Sequence, residues 1–245
     1  NTFNSFSSKG CQEEGIKTVN SSNLNFYLPS LIGNDIGMRI MESENITAVD
    51  ISASENKTYG VAIENSRKIS IRGLKAEKNS TGMLIEGSSG IAVMPSTVKE
   101  NTEAGIYVKG STDISIVHEV KKDMKPFEIS QNGLGILVED SKEVKVGAPA
   151  ANRKGGLISR NGGYGVLIKG DNTDGVKLIN LEVTGNGDGG IDVLGGKNIT
   201  IGGLSGDMRN YIGESDGVGI SANGNILNLR ISNNTIEGNF TLKRG

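Results

Sequence analysis

The chain has 245 residues and a formal net charge of −2, from 26 Lys and Arg against 28 Asp and Glu. This charge balance excludes a broadly basic protein that binds nucleic acid through its phosphates. No apolar run has the length of about 20 residues that a membrane-spanning helix needs. The single cysteine, Cys11, excludes an intrachain disulfide and a cysteine-based zinc cage. No signal peptide is recognisable, so we expect a mature or excised segment without membrane insertion.

A glycine followed by an apolar residue recurs nine times along the chain. The residues one and three positions after the glycine are almost all aliphatic, and the second of these is β-branched in eight of the nine units. This alternation is typical of a short strand with one buried face. The repeat glycines, at spacings of 22 to 30 residues, are Gly15, Gly37, Gly60, Gly82, Gly105, Gly135, Gly165, Gly190 and Gly217.

Two further columns mark the corners of each unit. Serine stands six residues after the glycine in the first six units, and an aliphatic residue follows three positions later. Asparagine tolerates left-handed corner conformations, and stacked amides can hydrogen-bond along a ladder. Asparagine precedes the glycine at seven of eight junctions, as Asn34, Asn56, Asn79, Asn101, Asn132, Asn161 and Asn186.

Each unit also holds a third apolar stretch, so it predicts three short strands, or one coil of a parallel β-helix. Residues 15–245 would form an all-β domain of about nine coils, with residues 1–14 as an N-terminal cap. Strands stacked about 4.8 Å apart predict a rod on the order of 40 Å long. The last unit has no evident cap, so we expect a longer chain or end-to-end self-association. A leucine-rich repeat is the alternative, but no unit has a leucine signature or a helical period.

Two stretches carry a resemblance to a known superfamily. Residues 161–170, NGGYGVLIKG, and residues 210–213, NYIG, are similar to repeats of secreted and cell-surface proteins with the right-handed parallel β-helix of the pectate-lyase-like superfamily. The resemblance covers about residues 15–240. It implies right-handed coils but no particular activity, because this fold hosts lyases, hydrolases, epimerases, adhesins and viral tail spikes.

The two longest units carry neighbouring insertions, at about Val117–Pro126 and Ala148–Gly155. Insertions in adjacent coils emerge side by side, and solenoids often bind ligands there. We expect this region to contact a polysaccharide or cell-surface glycan, and a solvated loop of mixed charge is the alternative. Its candidate ligand-binding residues are Lys121, Lys122, Lys125, Arg153, Lys154 and Arg160, with His118 as candidate proton acceptor.

No catalytic pattern of the superfamily is complete in this chain. Asn172-Thr-Asp174 matches one motif of the polygalacturonases. The other motifs of those enzymes, a pair of aspartates, Gly-His-Gly and Arg-Ile-Lys, are missing. The Asp-Pro-His motif of alginate epimerases is missing too. Pectate lyases hold calcium with several carboxylates. The densest acidic set here is Asp174, Asp188 and Asp192, which makes calcium the one candidate cofactor.

Seven Asn-x-Ser/Thr sequons fit an extracellular glycoprotein. Asn56 and Asn79 belong to the asparagine column and are expected to be inaccessible. The remaining candidates for glycosylation are Asn20, Asn45, Asn198, Asn233 and Asn239. Tyr59, Tyr107 and Tyr164 are scattered along the chain, so we predict structural roles for them.

Together these features predict an extracellular or cell-surface scaffold for adhesion, glycan contact, or assembly of a surface layer or filament. The incomplete catalytic patterns favour a protein that is not an enzyme. A polysaccharide lyase or hydrolase, acting on an acidic glycan at the insertions, is the alternative. A viral tail-spike shaft is a third reading.

Overall fold

The computed structural model describes residues 1–117, 126–148 and 155–239. Of their 31 short strands, 29 form three long parallel sheets, A, B and C, to which successive coils contribute in turn. The predicted all-β, right-handed parallel β-helix of about nine coils is confirmed.

Within each sheet the strands stack in the order in which they occur along the chain. Sheet A contains β1 (Thr2–Asn4), β4 (Ser22–Tyr27), β7 (Glu44–Val49), β10 (Arg67–Arg72), β13 (Ser89–Val93), β16 (Thr112–Ile116), β19 (Lys142–Val146), β22 (Lys177–Leu178), β26 (Thr200–Gly202) and β30 (Arg230–Ser232). Sheet B contains β2 (Ser7–Lys9), β5 (Ser30–Ile32), β8 (Ser52–Ser54), β11 (Lys75–Glu77), β14 (Thr97–Lys99), β17 (Glu128–Ser130), β20 (Gly156–Ser159), β23 (Leu181–Thr184), β27 (Tyr211–Gly213) and β31 (Thr235–Glu237).

Sheet C has nine strands. They are β3 (Glu14–Val19), β6 (Ile36–Met41), β9 (Tyr59–Glu64), β12 (Thr81–Glu86), β15 (Ala104–Lys109), β18 (Leu134–Glu139), β21 (Tyr164–Lys169), β24 (Gly189–Val193) and β28 (Val218–Ala222). A small pair, β25 (Gly196–Lys197) and β29 (Ile226–Leu227), and a 3-10 turn at Gly206–Met208 complete the described elements.

The N-terminal residues continue two of the sheets. Strand β1 pairs with β4, and β2 pairs with β5. The ring of Phe3 stacks on Phe26 at 5.1 Å between centroids, and Phe6 meets the same ring edge-on at 6.4 Å. That residues 1–14 act as a cap stays a prediction.

The bore of the helix is filled by the aliphatic columns that the sequence predicted. In each coil from β6 to β24, the two aliphatic residues after the repeat glycine are at most 1% exposed, as Met83 and Ile85 are in β12. Each packs against its counterpart one coil above and below, because the strands pair in register. These rows form one continuous core along the rod.

The asparagine column forms a buried amide ladder at the corner between sheets B and C. Asn79 donates from Nδ2 to Oδ1 of Asn101 at 3.0 Å, and Asn101 donates likewise to Asn132 at 2.8 Å. The same Oδ1 atoms accept a backbone N–H from the coil below, and Nδ2 also reaches a carbonyl of sheet B. The ladder therefore supplies partners for backbone groups that no solvent reaches.

The left-handed residue at this corner is the one before the asparagine, so the prediction that asparagine itself adopts that conformation was wrong. Glu55, Lys78, Glu100 and Arg160 have φ between 53° and 57°. The bend places their side chains outside and turns the following amide inward, where the ladder holds it.

The repeat glycines are required by the close approach of neighbouring coils. A Cβ at Gly60 would lie 2.6 Å from the carbonyl oxygen of Gly82 and 3.0 Å from Nδ2 of Asn79. In the ninth unit this position belongs to Gly219, because β28 pairs with β24 through Ile220 opposite Ile191. The predicted register of that unit, based on Gly217, was therefore wrong by two residues.

Serine forms a second ladder at the corner between sheets C and A. The backbone N–H of Ser66 donates to Oγ of Ser88 at 3.0 Å, and that of Ser88 donates to Oγ of Ser111 at 3.1 Å. Each hydroxyl donates in turn to a carbonyl two residues before it in its own coil. Both corners of sheet C are thus fixed by side chains that bind the backbone of the adjacent coil.

Removing one rung of the amide ladder should destabilise the rod. Asn101→Ala leaves the backbone N–H and the Nδ2 group of Asn79 without their buried acceptor. Each buried polar group without a partner costs about 1–3 kcal/mol, so we expect a loss of about 2–5 kcal/mol in the free energy of unfolding. Urea unfolding measures it. Asn172→Ala, which removes an exposed amide at a residue outside the left-handed region, is the control, and equal stability of the two variants would contradict the ladder's role.

Candidate functional site

The outer face of sheet B carries a polar groove of about 440 Å³. Alternation along the strands turns Ile158, Val183 and Ile212 inward, so the residues between them face solvent. Glu182 of β23 lies directly opposite Tyr211 of β27 in the parallel pairing. The groove is lined by Gly155, Asn180, Leu181, Glu182, Thr184, Arg209, Tyr211 and Glu214.

Hydrogen bonds from neighbouring coils hold this groove in place. Asn180 donates from Nδ2 to the carbonyl of Ala148 at 3.0 Å, and Leu181 donates its N–H to Oδ1 of Asn210 at 2.9 Å. Arg209 donates to Oδ1 of Asn233 at 3.4 Å. Burial, together with Glu237, raises the pKa of the Tyr211 phenol. The groove thus offers a neutral phenol, a guanidinium and two carboxylates.

Both predicted insertions lie at the corner that leads from sheet A to sheet B. One connects β16 to β17 and the other connects β19 to β20 in the next coil. Gly155, the first described residue after the second insertion, lines the groove. Six of the predicted residues, His118, Lys121, Lys122, Lys125, Arg153 and Lys154, lie outside the described residues.

Arg160 is exposed at the corner between sheets B and C, beside the groove. Its backbone N–H donates to the carbonyl of Thr184, a groove residue, at 3.1 Å. The sequence missed Glu182, Arg209, Tyr211 and Glu214 as a set. The alternation of inward and outward residues in the third strand of each unit could have identified them. That strand is short and follows loops of variable length, so its alternation is hard to recognise in the sequence.

The three aspartates proposed as calcium ligands are not one cluster. Asp174 lies at the corner between sheets C and A, where it pairs with Lys197 at 3.5 Å and accepts from Asn198 at 2.7 Å. Asp188 and Asp192 belong to the segment that enters sheet C. The described ranges contain no group of three His, Cys, Asp or Glu side chains placed to hold a metal ion.

Asp192 is nevertheless distinctive. At 4% exposure it is the most deeply buried charged residue of the described ranges, although it lies on the outer face of sheet C. Its Oδ1 accepts a hydrogen bond from the hydroxyl of Ser221 on the next coil. The pKa of the nearby Tyr164 phenol is raised by burial and by the charges of Asp192 and Asp188.

A second network on sheet C links tyrosines to paired charges. The Tyr107 hydroxyl donates to Oε2 of Glu139, which also pairs with Lys169 at 3.1 Å. Burial and this hydrogen bond raise the pKa of Tyr107 above its ordinary value. Burial and the charges of Glu86 and Glu64 raise the pKa of Tyr59 in the same way.

The family assignment comes from the first part of the chain. The family described as "Periplasmic copper-binding protein (NosD)" matches residues 2–148, more than half of the sequence. The chain belongs to the NosD family. Among curated proteins, none matches it in sequence.

Solved structures similar to this NosD-family chain share its fold. The A-module of mannuronan C-5 epimerase AlgE6 from Azotobacter vinelandii is 18% identical, with a TM-score of 0.55 over 88% of this chain and 58% of the other. The periplasmic alginate epimerase AlgG is 12% identical, with a TM-score of 0.55 over 92% and 50%. The chain therefore spans about half the length of these proteins, and the likeness shows the β-helix alone.

The described residues of this chain do not fit the copper named in the family's description, and the one histidine of the sequence, His118, lies outside them. Copper prefers imidazole, thiolate and thioether ligands. The sequence has one histidine and one cysteine, Cys11, which is exposed and lies 3.2 Å from the Ser8 hydroxyl. Met38 and Met83 are sealed in the core. We therefore derive no step through copper.

The predicted glycosylation acceptors occupy corners. Asn20, Asn45, Asn198 and Asn233 are exposed, with φ between 47° and 57°, whereas Asn239 accepts the N–H of Ser215 at 3.2 Å, as a ladder residue does. Their glycosylation stays a prediction. No helix in the described ranges is long and apolar enough to span a membrane.

The Tyr107 network predicts that the folded protein loses stability at high pH. A folded-state pKa raised above 10.0 means that the folded protein keeps a proton that the unfolded chain releases. The free energy of unfolding should therefore fall as the pH rises above about 10, and Tyr107→Phe should make that fall less steep. Urea titrations from about pH 8 to 11 measure the slope. Tyr27→Phe, on sheet A, is the control, and identical slopes for wild type and Tyr107→Phe would refute the assignment.

Proposed function

We propose that this chain is a polysaccharide-binding β-helix that works outside the cytoplasm, at the cell surface or in the extracellular space. Its binding site is the groove on the outer face of sheet B. The observation that carries this proposal is the juxtaposition of Glu182, Arg209, Tyr211 and Glu214 on two adjacent coils. Carboxylate, guanidinium and phenol groups on a concave surface match the hydroxyl and carboxylate groups of a glycan.

The ligand class that we propose is an acidic polysaccharide. Within the groove, Arg209 offers the planar donors that bind a carboxylate in two hydrogen bonds. The sequence adds basic side chains in both insertions, and Arg160 stands at the adjacent corner. The family's description as periplasmic supports a location outside the cytoplasm, and the fold neighbours named as alginate epimerases motivate the choice of ligand. A scaffold that binds such chains could serve adhesion or assembly of a surface layer.

Affinity electrophoresis in gels that contain alginate, polygalacturonate or neutral dextran tests this proposal. We expect retardation by an acidic polymer, weakened by salt because the contact is ionic. Arg209→Ala and Tyr211→Ala should each weaken the binding about tenfold, a loss of about 1.4 kcal/mol. Arg230→Ala, which removes an exposed arginine of sheet A, is the matched control. Equal retardation of all variants would place the site elsewhere, and no retardation by any acidic polymer would refute the function.

A polysaccharide-active enzyme is the second candidate function, and Asp192 is the observation that favours it. Burial of a charge without a cationic partner is costly, and such groups concentrate at functional sites. A carboxylate beside the Tyr164 phenol provides a proton acceptor and a proton donor on one surface.

Chain length and sugar composition of alginate and polygalacturonate after incubation with the protein distinguish the two candidates. If the chain is an enzyme that uses this pair, Asp192→Asn should lower turnover at least about a hundredfold, as loss of a general base does. Loss of turnover in His118→Ala alone would move the chemistry to the first insertion. Unchanged polymers with wild-type protein would leave the binding function as the supported one.

A further inference from the structure

The outer face of sheet C carries an apolar cluster that is separate from the core. Ile36, Ala62 and Leu84 are 5%, 0% and 3% exposed, and Tyr59 and Tyr107 pack against them. Tyr59 belongs to β9 and Tyr107 to β15, with β12 between them. Tyr107 pairs with Leu84, whereas Tyr59 pairs with Thr81, three residues earlier on β12. The tyrosine positions are therefore two strand spacings, about 9.6 Å, apart along the axis and three residues, about 10 Å, apart along the strands. We call these five residues the tyrosine platform.

The rim of the tyrosine platform is polar, and its cations are paired with carboxylates. Glu86 forms an ion pair with Lys109 at 2.9 Å. Glu139 forms an ion pair with Lys169 at 3.1 Å and also accepts a hydrogen bond from the Tyr107 hydroxyl. On the other side of Tyr59, Glu64 pairs with Arg39 at 2.6 Å. Each of these three carboxylates has a cationic partner, whereas Glu103, whose charge also acts on Tyr59, forms no ion pair with any described residue. The rim therefore offers hydrogen-bonding groups without an excess of positive charge to attract an acidic chain.

We propose that the tyrosine platform is a second ligand-binding surface, which takes a neutral, hydroxyl-rich polysaccharide lying diagonally across the strands of sheet C. Sugar rings have an apolar C–H face and a polar edge. The tyrosine rings on their apolar floor match the face, and the paired charges match the hydroxyls. Because each cation of the rim is already paired with a carboxylate, an acidic chain gains nothing here, which separates this surface from the groove on sheet B.

The tyrosines are suited to binding because their positions are already fixed. Tyr107 is anchored through its hydroxyl on the next coil, and both side chains are half-buried against the cluster. A side chain that is immobile before binding loses little rotamer entropy when a ligand arrives. Binding at the platform requires no movement of the sheet, since the strands below it pair in register.

Tyrosine fluorescence tests the proposal directly, because the chain has five tyrosines and no tryptophan. The probes are neutral hexasaccharides of β-1,4-glucose, β-1,4-mannose and α-1,4-glucose, titrated into the full chain. We expect at least one to bind, with affinity reduced about tenfold or more in the Tyr59→Ala/Tyr107→Ala double variant. Tyr107→Phe, which keeps the ring, should lose much less affinity. Tyr27→Ala, which removes an exposed tyrosine of sheet A, should bind as wild type does.

The groove variant separates this proposal from the proposed function. Arg209→Ala should leave binding of the neutral hexasaccharide unchanged while it weakens binding of an acidic polymer. Thermal melting shows that each variant is folded, and calorimetry reports binding independently of the tyrosines removed. No binding of any neutral hexasaccharide to the wild type would overturn the proposal. So would a folded double variant that binds as the wild type does, or capture of acidic chains alone.

Discussion

The rest of the structure depends on the close stacking of one coil on the next. Every coil is held at one strand spacing by parallel hydrogen bonds in three sheets. At the corners, where the sheets end, that spacing is kept by side chains. The Asn101 amide binds coils on both sides of it, and Gly60 leaves room for the carbonyl of Gly82. A larger residue at the glycine would leave no room for that carbonyl. An apolar residue at the asparagine would leave buried polar groups unpaired.

This constraint also organises the surfaces. Because coils stack in register, outward residues form rows along the rod, and residues far apart in sequence become neighbours. Glu182 faces Tyr211 on sheet B, and Tyr59 and Tyr107 share one apolar cluster on sheet C. The strands before and after both insertions pair in register with those of the adjacent coil, so the sheets continue past the insertions. Sheets B and C can therefore carry different chemistry while the core is the same beneath both.

Family and fold give different kinds of information about this chain. Membership of the NosD family rests on residues 2–148, yet the described ranges lack a cluster of copper ligands and the sequence has one histidine. The likeness to alginate epimerases extends over most of the chain, but at 18% and 12% identity it concerns the β-helix alone. Function is therefore argued from the groove and the tyrosine platform, since a scaffold shared by many activities does not specify one.

The sequence by itself determined the architecture, because its pattern is local and repeated. One period is shared by the glycine spacing, the aliphatic columns and the asparagine column. The buried rows and the amide ladder follow from that shared period. The ninth unit shows the limit of that reasoning. Its Gly-Val-Gly segment offers two glycines, and only pairing with β24 selects Gly219.

Tertiary structure alone decided which surface residues meet. The burial of Asp192 under Ser221, the lining of the groove and the convergence of Tyr59 and Tyr107 on one cluster depend on contacts between coils. The lengths of the units vary from coil to coil, so the sequence does not state which outward residues share a row. A strand's alternation determines whether a residue points inward, but the register across coils determines its neighbours.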